Sequence, residues 1–555
     1  MSHLTWRPKM QLARVVSELP CLPETGRYPE TVTRTTRSPR RLRPATGRIV
    51  IAVVGLATAA VAPARSNAQG PDFKAFDLYI AHAARDWRVP GLAIAVVKGD
   101  SLVFAKGYGV IQTGKPAPVT EHTRFAIGST TKAMTVAALA MLADEGKLHW
   151  DDKVIDYVPG FRLYDPYVTR ELTIRDLLTH RTGLPGTDLL WAVPENQYSV
   201  PEMIRRLRYV KPVSSFRSQW EYENVMYAIA GTIVERASGE SWESFIRTRI
   251  FIPLGMKESE TLVSEIVGKP NVAVPHALVS DTVRVVPVRS TDAIAPAGSV
   301  WASVSDMSRW MRFILDSGRV GTTRLIQPAT FREIVAPQIR VPMDEYPALQ
   351  LAQPHFFSYA LGWFVQDYHG QTVWMHTGSI DGMCAIIGLI PEQRLGVYVL
   401  ENLDHAELRH ALMYRVFDMY STTDRPIRDW SADLHALFAA RKQAAQAVTA
   451  AKAAKRVVGT RPSMPLEQYA GTYTDSTYGN LVVTLTGGML HALLENANLG
   501  ALAHWEYDSF RSQPTDVEDG PATVTFQPDG AGHVRAVRVF GVDFQRGQPT
   551  RQTPG

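Results

Sequence analysis

Cysteine is nearly absent: the 555 residues contain two, Cys21 and Cys384. Cys21 falls in a stretch that reads as a removable leader, so the mature chain keeps one thiol and no internal disulfide. A chain of this length without cross-links must rely on a large core, and export without disulfides suits a bacterial periplasm or the medium. Long apolar runs are scarce too. Residues 49–62 form one, but it is too short for a comfortable membrane span and no stop-transfer pattern follows it.

Neither sign of charge dominates. The formal net charge is +5, yet residues 1–68 carry 11 Lys and Arg against 3 Asp and Glu. Without them 48 basic residues face 51 acidic ones, a balance of −3, so the chain's pI near 9.0 is no argument for nucleic-acid binding. Several motifs are missing. There is no G-x-S-x-G, which an α/β-hydrolase requires, and no phosphate loop for a nucleotide. H-E-x-x-H and C-x-x-C are absent, and His180, His355, His405 and His410 have no ligand spacing. No metal and no cofactor are expected.

Arg40, Arg41, Arg43 and Arg48 precede the apolar run, which ends in small residues at Ala62-Pro63-Ala64 and Ser66-Asn67-Ala68. That order is a secretory signal, so residues 1–68 are expected to be leader and signal peptide. Arg40-Arg41 also permits a twin-arginine route. The first 38 residues are unusual for such a signal and suggest a start codon placed too early. No Cys stands directly after the run, so no stable membrane anchor is expected after cleavage, and the location expected is periplasmic or secreted.

The body is 45% hydrophobic and 20% charged, a globular composition, and its length suggests two folded units. Residues 72–87 read as an opening helix, and residues 92–97 and 102–108 as a hairpin about Gly99-Asp100. A buried helix is expected over 133–142, helices over 227–237 and 307–315, and a capping Ser303 or Ser305 before the latter. Strands follow over 362–366, 373–376, 384–390 and 396–401, then a closing helix over 405–420. The fold expected is α+β, one antiparallel sheet built from both chain ends and flanked by helices, with a helical subdomain. Residues 69–423 would form this unit, 424–463 a helical linker, and 464–555 a small all-β, barrel-like domain.

The stretch 125–132 organises the chemistry. Ser129 and Lys132 lie three apart at a helix start, on one face. A serine beside an amine able to lose its proton is the minimum for nucleophilic catalysis. Taken by itself, Ser129-Thr130-Thr131-Lys132 fits an N-capping Ser and a solvated Lys better than a catalytic pair. Its setting favours chemistry: the Ser129 N–H is an orphan donor at a positive helix end, and an apolar face follows Lys132.

The stretches 89–92, 125–132, 177–185 and 359–363 resemble the serine β-lactamase/penicillin-binding-protein superfamily, with motif order preserved over roughly residues 72–420. The nearest branch is the class C β-lactamase-related hydrolases: D-aminopeptidases, D-alanyl-D-alanine carboxypeptidases and carboxylesterases. The resemblance implies Ser129 as nucleophile and Lys132 with Tyr222 as its proton acceptors, Lys132 keeping Tyr222 poised as phenolate or acceptor. Tyr222-Glu223-Asn224 matches the family's Y-x-N, and Asn224 would orient a substrate amide. His376-Thr377-Gly378 stands at the K-T-G position, with Ser379 N–H and Ser129 N–H as oxyanion donors. His376 for Lys weakens a β-lactamase reading and favours an esterase, amidase or D-peptide hydrolase. The alternatives are a β-lactamase or D-alanyl-D-alanine carboxypeptidase, and a non-catalytic acyl- or peptidoglycan-binding protein. Tyr478-Gly479-Asn480, a second Y-x-N, reads as a turn. Residues 469–473 resemble a lipocalin-like domain that would shape the site's mouth or mediate association. The partner expected is a small ester, peptide or amide substrate, with a homo-oligomer left open.

Overall fold

The computed structural model describes residues 70–192, 198–421, 426–513 and 521–547. The expected signal peptide lies outside the described residues. Among these, no helix is long and apolar enough to cross a membrane, and no group of three or more His, Cys, Asp and Glu could hold a metal ion.

Helix α1 (Phe73–Asp86) leads into strands β1 (Gly91–Lys98) and β2 (Ser101–Gly109). The chain then builds helices α2 (Lys132–Asp144), α3 (Val225–Ser238) and α4 (Val304–Leu315) before returning to the sheet. The later strands are β3 (Ile339–Arg340), β4 (Phe357–Tyr359), β5 (Phe364–Tyr368), β6 (Gln371–Ile380), β7 (Met383–Ile390) and β8 (Leu395–Glu401). Their spatial order is β2-β1-β8-β7-β6-β5-β4-β3. The first and last thirds of the unit meet where β1 pairs antiparallel with β8, Leu92 opposite Glu401 through Lys98 opposite Leu395. This is the α+β arrangement expected from the order of elements.

Strand β1 shows how the layers form. Side chains alternate across a strand, and both faces here are covered, so β1 is apolar almost throughout. Ala93, Ala95 and Val97 face a core shared with α2, α3 and α4. Leu92, Ile94 and Val96 face a second core with α1 and α5 (Leu408–Met419). Helix α2 is buried on all sides from Lys132 to Leu142, as its Ala, Met and Leu content predicts. Ser303 caps α4 by accepting the Asp306 N–H. Asp306 is itself buried, accepting from Glu258 N and Ser259 Oγ, so it ties a loop to the helix start.

Helix α6 (Trp430–Ala454) differs from a free spacer. Trp430 and Leu434 at its start belong to the second core, and the Trp430 ring stacks on Tyr414 at 4.5 Å. Beyond it, eight strands close an antiparallel barrel: β9 (Gly471–Asp475), β10 (Gly479–Thr486), β11 (Met489–Leu494), β12 (Ala497–Glu506), β13 (Ser509–Gln513), β14 (Thr523–Pro528), β15 (Val534–Val539) and β16 (Val542–Arg546). Tyr469, Tyr473, Phe510, Phe526 and Phe544 fill its interior. Closure removes every free sheet edge.

Candidate active site

A tight 3-10 turn, Gly128–Thr131, precedes α2, and neither it nor α2 has a side-chain cap. The capping role open to Ser129 is thus not taken. Its hydroxyl instead receives two hydrogen bonds, from Lys132 Nζ at 3.0 Å and Tyr222 Oη at 2.8 Å. Ser129 and Tyr222 are half-buried, whereas Lys132 is fully buried.

Lys132 Nζ also donates to Asn224 Oδ1 at 2.8 Å and to Ala297 O at 3.0 Å. Burial drags its pKa down to about 7, against a partial upward pull from the Asp188 and Glu223 charges. A substantial fraction of the amine is therefore neutral at pH 7 and can accept a proton. Tyr222 behaves in the opposite sense. Burial pushes its phenol well above the ordinary value, so it stays protonated and donates to Ser129. This differs from the phenolate or acceptor expected from the resemblance, and the reason is desolvation: a buried phenolate is costly.

The turn is pressed against β6. Gly128 has φ +53°, and a Cβ there would lie 2.7 Å from Ser379 N. A Cβ on Gly378 would lie 1.9 Å from Ile127 O and 3.2 Å from Ser129 N. Glycine is required at both positions, and the Ser129 and Ser379 amides are carried on facing segments. Arg409 of α5 fixes this part of β6, its Nη1 donating to Gly378 O at 2.7 Å, Ser379 Oγ at 2.9 Å and Ala385 O at 3.3 Å. Glu407 holds the same guanidinium through Nη2 at 2.9 Å.

His376 is enclosed rather than open to a ligand. Its ring nitrogens are engaged by Tyr359 Oη at 2.9 Å and Thr377 O at 2.6 Å. Burial, with the Lys132 charge, lowers its pKa to about 3, so it is neutral. Thr377 Oγ1 pairs with Tyr346 Oη at 2.8 Å. Asn224, expected to face substrate, is committed on both sides: Oδ1 to Lys132, and Nδ2 to Asp188 Oδ1 at 3.1 Å. His180 is buried against Tyr222, and its Nδ1 accepts the Glu223 N–H at 3.1 Å. Glu223 is buried too, its pKa pushed up to about 8 by desolvation.

The structure thus brings Ser129, Lys132, Tyr222 and Asn224 into one bonded cluster, with Gly378 and Ser379 alongside and His376 and Thr377 behind their own tyrosine partners. Sequence reasoning missed Asp188, Glu223 and Arg409. Asp188 lies three residues beyond the matched stretch 177–185, and that nearness was the one signal available. Arg409 left none.

The family described as Beta-lactamase matches residues 76–418, and a domain of unknown function (DUF3471) matches residues 455–552. Among curated proteins, the unguisins hydrolase of Aspergillus violaceofuscus is 29% identical over 454 residues, 75% of this chain and 78% of that protein. Penicillin-binding protein 4 of Amycolatopsis lactamdurans is 29% identical over 319 residues, 57% of this chain and 81% of its own. Among solved structures, the octameric penicillin-binding protein homologue from Pyrococcus abyssi superposes with a TM-score of 0.56 at 21% identity, covering 86% of this chain and 99% of that one. By the family match over most of its length, by its sheet and by its serine–lysine–tyrosine cluster, this chain belongs to the β-lactamase family of serine hydrolases.

Proposed function

We propose that the protein hydrolyses an ester or amide, a D-amino-acid peptide or small carboxylic ester, through an acyl-enzyme on Ser129. The observation that carries this reading is the Ser129 hydroxyl held by both Lys132 and Tyr222. Ser129 Oγ attacks the carbonyl carbon as its proton passes to neutral Lys132 Nζ. The N–H groups of Ser129 and Ser379 receive the oxyanion, each such donor lowering the barrier by about 3 kcal/mol. Tyr222 Oη gives its proton to the departing oxygen or nitrogen and regains one from Lys132. Water, deprotonated by the same pair, then releases the acid.

His376 argues for this substrate class over a β-lactam or a D-alanyl-D-alanine terminus. A fixed cation at that position would bind a substrate carboxylate, and His376 is neutral and enclosed. Arg409, the cation beside Ser379, is bonded to backbone carbonyls and to Glu407. The basic leader supports export to the periplasm or medium, which a processed N-terminus on protein recovered from cells would test.

A fluorophosphonate probe is expected to label the full-length protein at Ser129 and to leave Ser129→Ala unlabelled. Equal labelling of the two would favour the non-catalytic reading. Comparing kcat/KM for a short-chain ester, D-alanyl amides, an L-peptide and a chromogenic cephalosporin then ranks the substrates. A cephalosporin at the head of that ranking would reverse the argument from His376.

A further inference from the structure

Among the described residues, the barrel reaches the site at the 3-10 turn Asp188–Leu190. Neighbouring residues of the 3-10 turn Asp188–Leu190 go to different cores: Leu190 to the core around α2 and α3, Leu189 to the interior cluster of the barrel. From the other side comes the turn between β9 and β10. Tyr478 there packs against both cores. Arg206 Nη1 donates to Thr477 O at 2.8 Å, Tyr198 Oη donates to Tyr478 O at 3.4 Å, and the Arg206 guanidinium lies 3.9 Å over the Tyr198 ring. Burial, and after it the neighbouring acids Glu223, Asp475 and Asp188, holds the proton on the Tyr478 phenol.

Asp188 begins that turn. Its Oδ1 accepts from Asn224 Nδ2 at 3.1 Å and from Trp191 Nε1 at 2.9 Å. An amide has one accepting and one donating end. With Nδ2 held by a carboxylate, Oδ1 must face Lys132 Nζ; turned over, Asn224 would set N–H groups against an amine that is donating. A continuous path therefore runs from the barrel through Leu189 and Asp188 to Asn224 and the amine beside Ser129.

We propose that the β9–β10 turn of the barrel, centred on Tyr478, belongs to the catalytic apparatus: it clamps the Asp188–Leu190 turn so that Asp188 holds Asn224 in the orientation Lys132 needs. Tyr478 and Asp188 are positioning residues. The barrel is then a condition for acylation and not an appendage, and the second Y-x-N, whose Tyr478 lies in the turn while Gly479 and Asn480 open β10, serves the site it mimics. This rests on Ser129 being the nucleophile.

The test is the rate of fluorophosphonate labelling at Ser129, followed by intact mass from pH 5 to 9 in full-length protein, with thermal unfolding measured on each variant. The groups that face Lys132 and bear on such a profile are Asp188, Glu223, His180, His376, Tyr222 and Tyr227. Asp188→Ala and Tyr478→Ala are each expected to slow labelling on the order of tenfold. The double variant should be no slower than the slower single one, because both act along one path. Asp188→Asn keeps an acceptor for Asn224 and should recover much of the rate. It removes the charge that raises the Lys132 pKa, so its acid limb should move to lower pH, which a packing defect would not produce. Tyr478→Phe should recover the rate lost in Tyr478→Ala, and Tyr507→Ala, in an exposed barrel turn, should match the wild type. Wild-type labelling rates in Tyr478→Ala, or multiplicative losses in the double variant, overturn the proposal. Absence of wild-type labelling at Ser129 overturns the nucleophile reading beneath it.

Discussion

Lys132 sits at the end of a conflict between burial and charge. Desolvation favours the neutral amine, while Asp188 and Glu223 favour the ammonium, and desolvation wins by enough to bring the pKa to about 7. The consequence for rate has a definite sign. Below pH 7 the amine is protonated and cannot take the Ser129 proton, so acylation should fall about tenfold per pH unit and level off above pH 8. The pH dependence of single-turnover acylation measures this; a flat profile from pH 5 to 8 would remove Lys132 as the base. Much of this residue-scale chemistry was legible, because Ser129 and Lys132 are three apart and Tyr222-Glu223-Asn224 is contiguous. Asp188 was not, since its function exists only once a turn 36 residues from Asn224 has been folded against it. The phenol state of Tyr222 was not legible either, because no sequence pattern reports how completely a ring is desolvated.

At the scale of elements, sequence and structure agree where periodicity is strong. The expected helix over 72–87 is found at Phe73–Asp86, and the expected strand over 384–390 at Met383–Ile390. Strand β12 (Ala497–Glu506) escaped notice because Ala, Asn, Gly and His give weak strand propensity; barrel closure imposes its pairing with β11 and β13. Helix α6 lies within the helical linker expected over 424–463, but composition does not report how its start is held. Its Ala- and Lys-rich body suggests a spacer, but its first turns are anchored. Trp430 is 2% exposed, stacks on Tyr414 and donates from Nε1 to Asp418 at 2.8 Å. Tyr79 Oη accepts from Ser431 N at 2.8 Å, and Trp87 Nε1 donates to Ser431 Oγ at 3.0 Å. Removing such an indole should cost about 3–5 kcal/mol. Trp430→Ala is therefore expected to lower the denaturant midpoint of the hydrolase unit; an unchanged midpoint would make α6 the spacer its composition suggests.

For the whole molecule, the start of α6 decides where the hydrolase unit ends. A boundary at residue 423 passes between α5 and the anchored turn, and would strip Trp430 and Leu434 from a core that also holds α1, α5 and one face of the sheet. The uncovered surface would be apolar and would include Tyr414 and Phe417, the kind of patch that drives association. A fragment of residues 70–456 keeps that cover and loses only the barrel. The two truncations separate two contributions that barrel removal alone would confuse. Residues 70–456 should stay folded, with a melting temperature near that of the full chain, yet label more slowly at Ser129, because the Asp188–Leu190 turn loses its clamp. Residues 70–423 should melt lower and aggregate as well. Calorimetry and light scattering on the pair, beside probe labelling, give the answer. Equal melting temperatures for the two fragments would place the boundary back at 423, and full labelling speed in the longer one would release the barrel from any part in the chemistry.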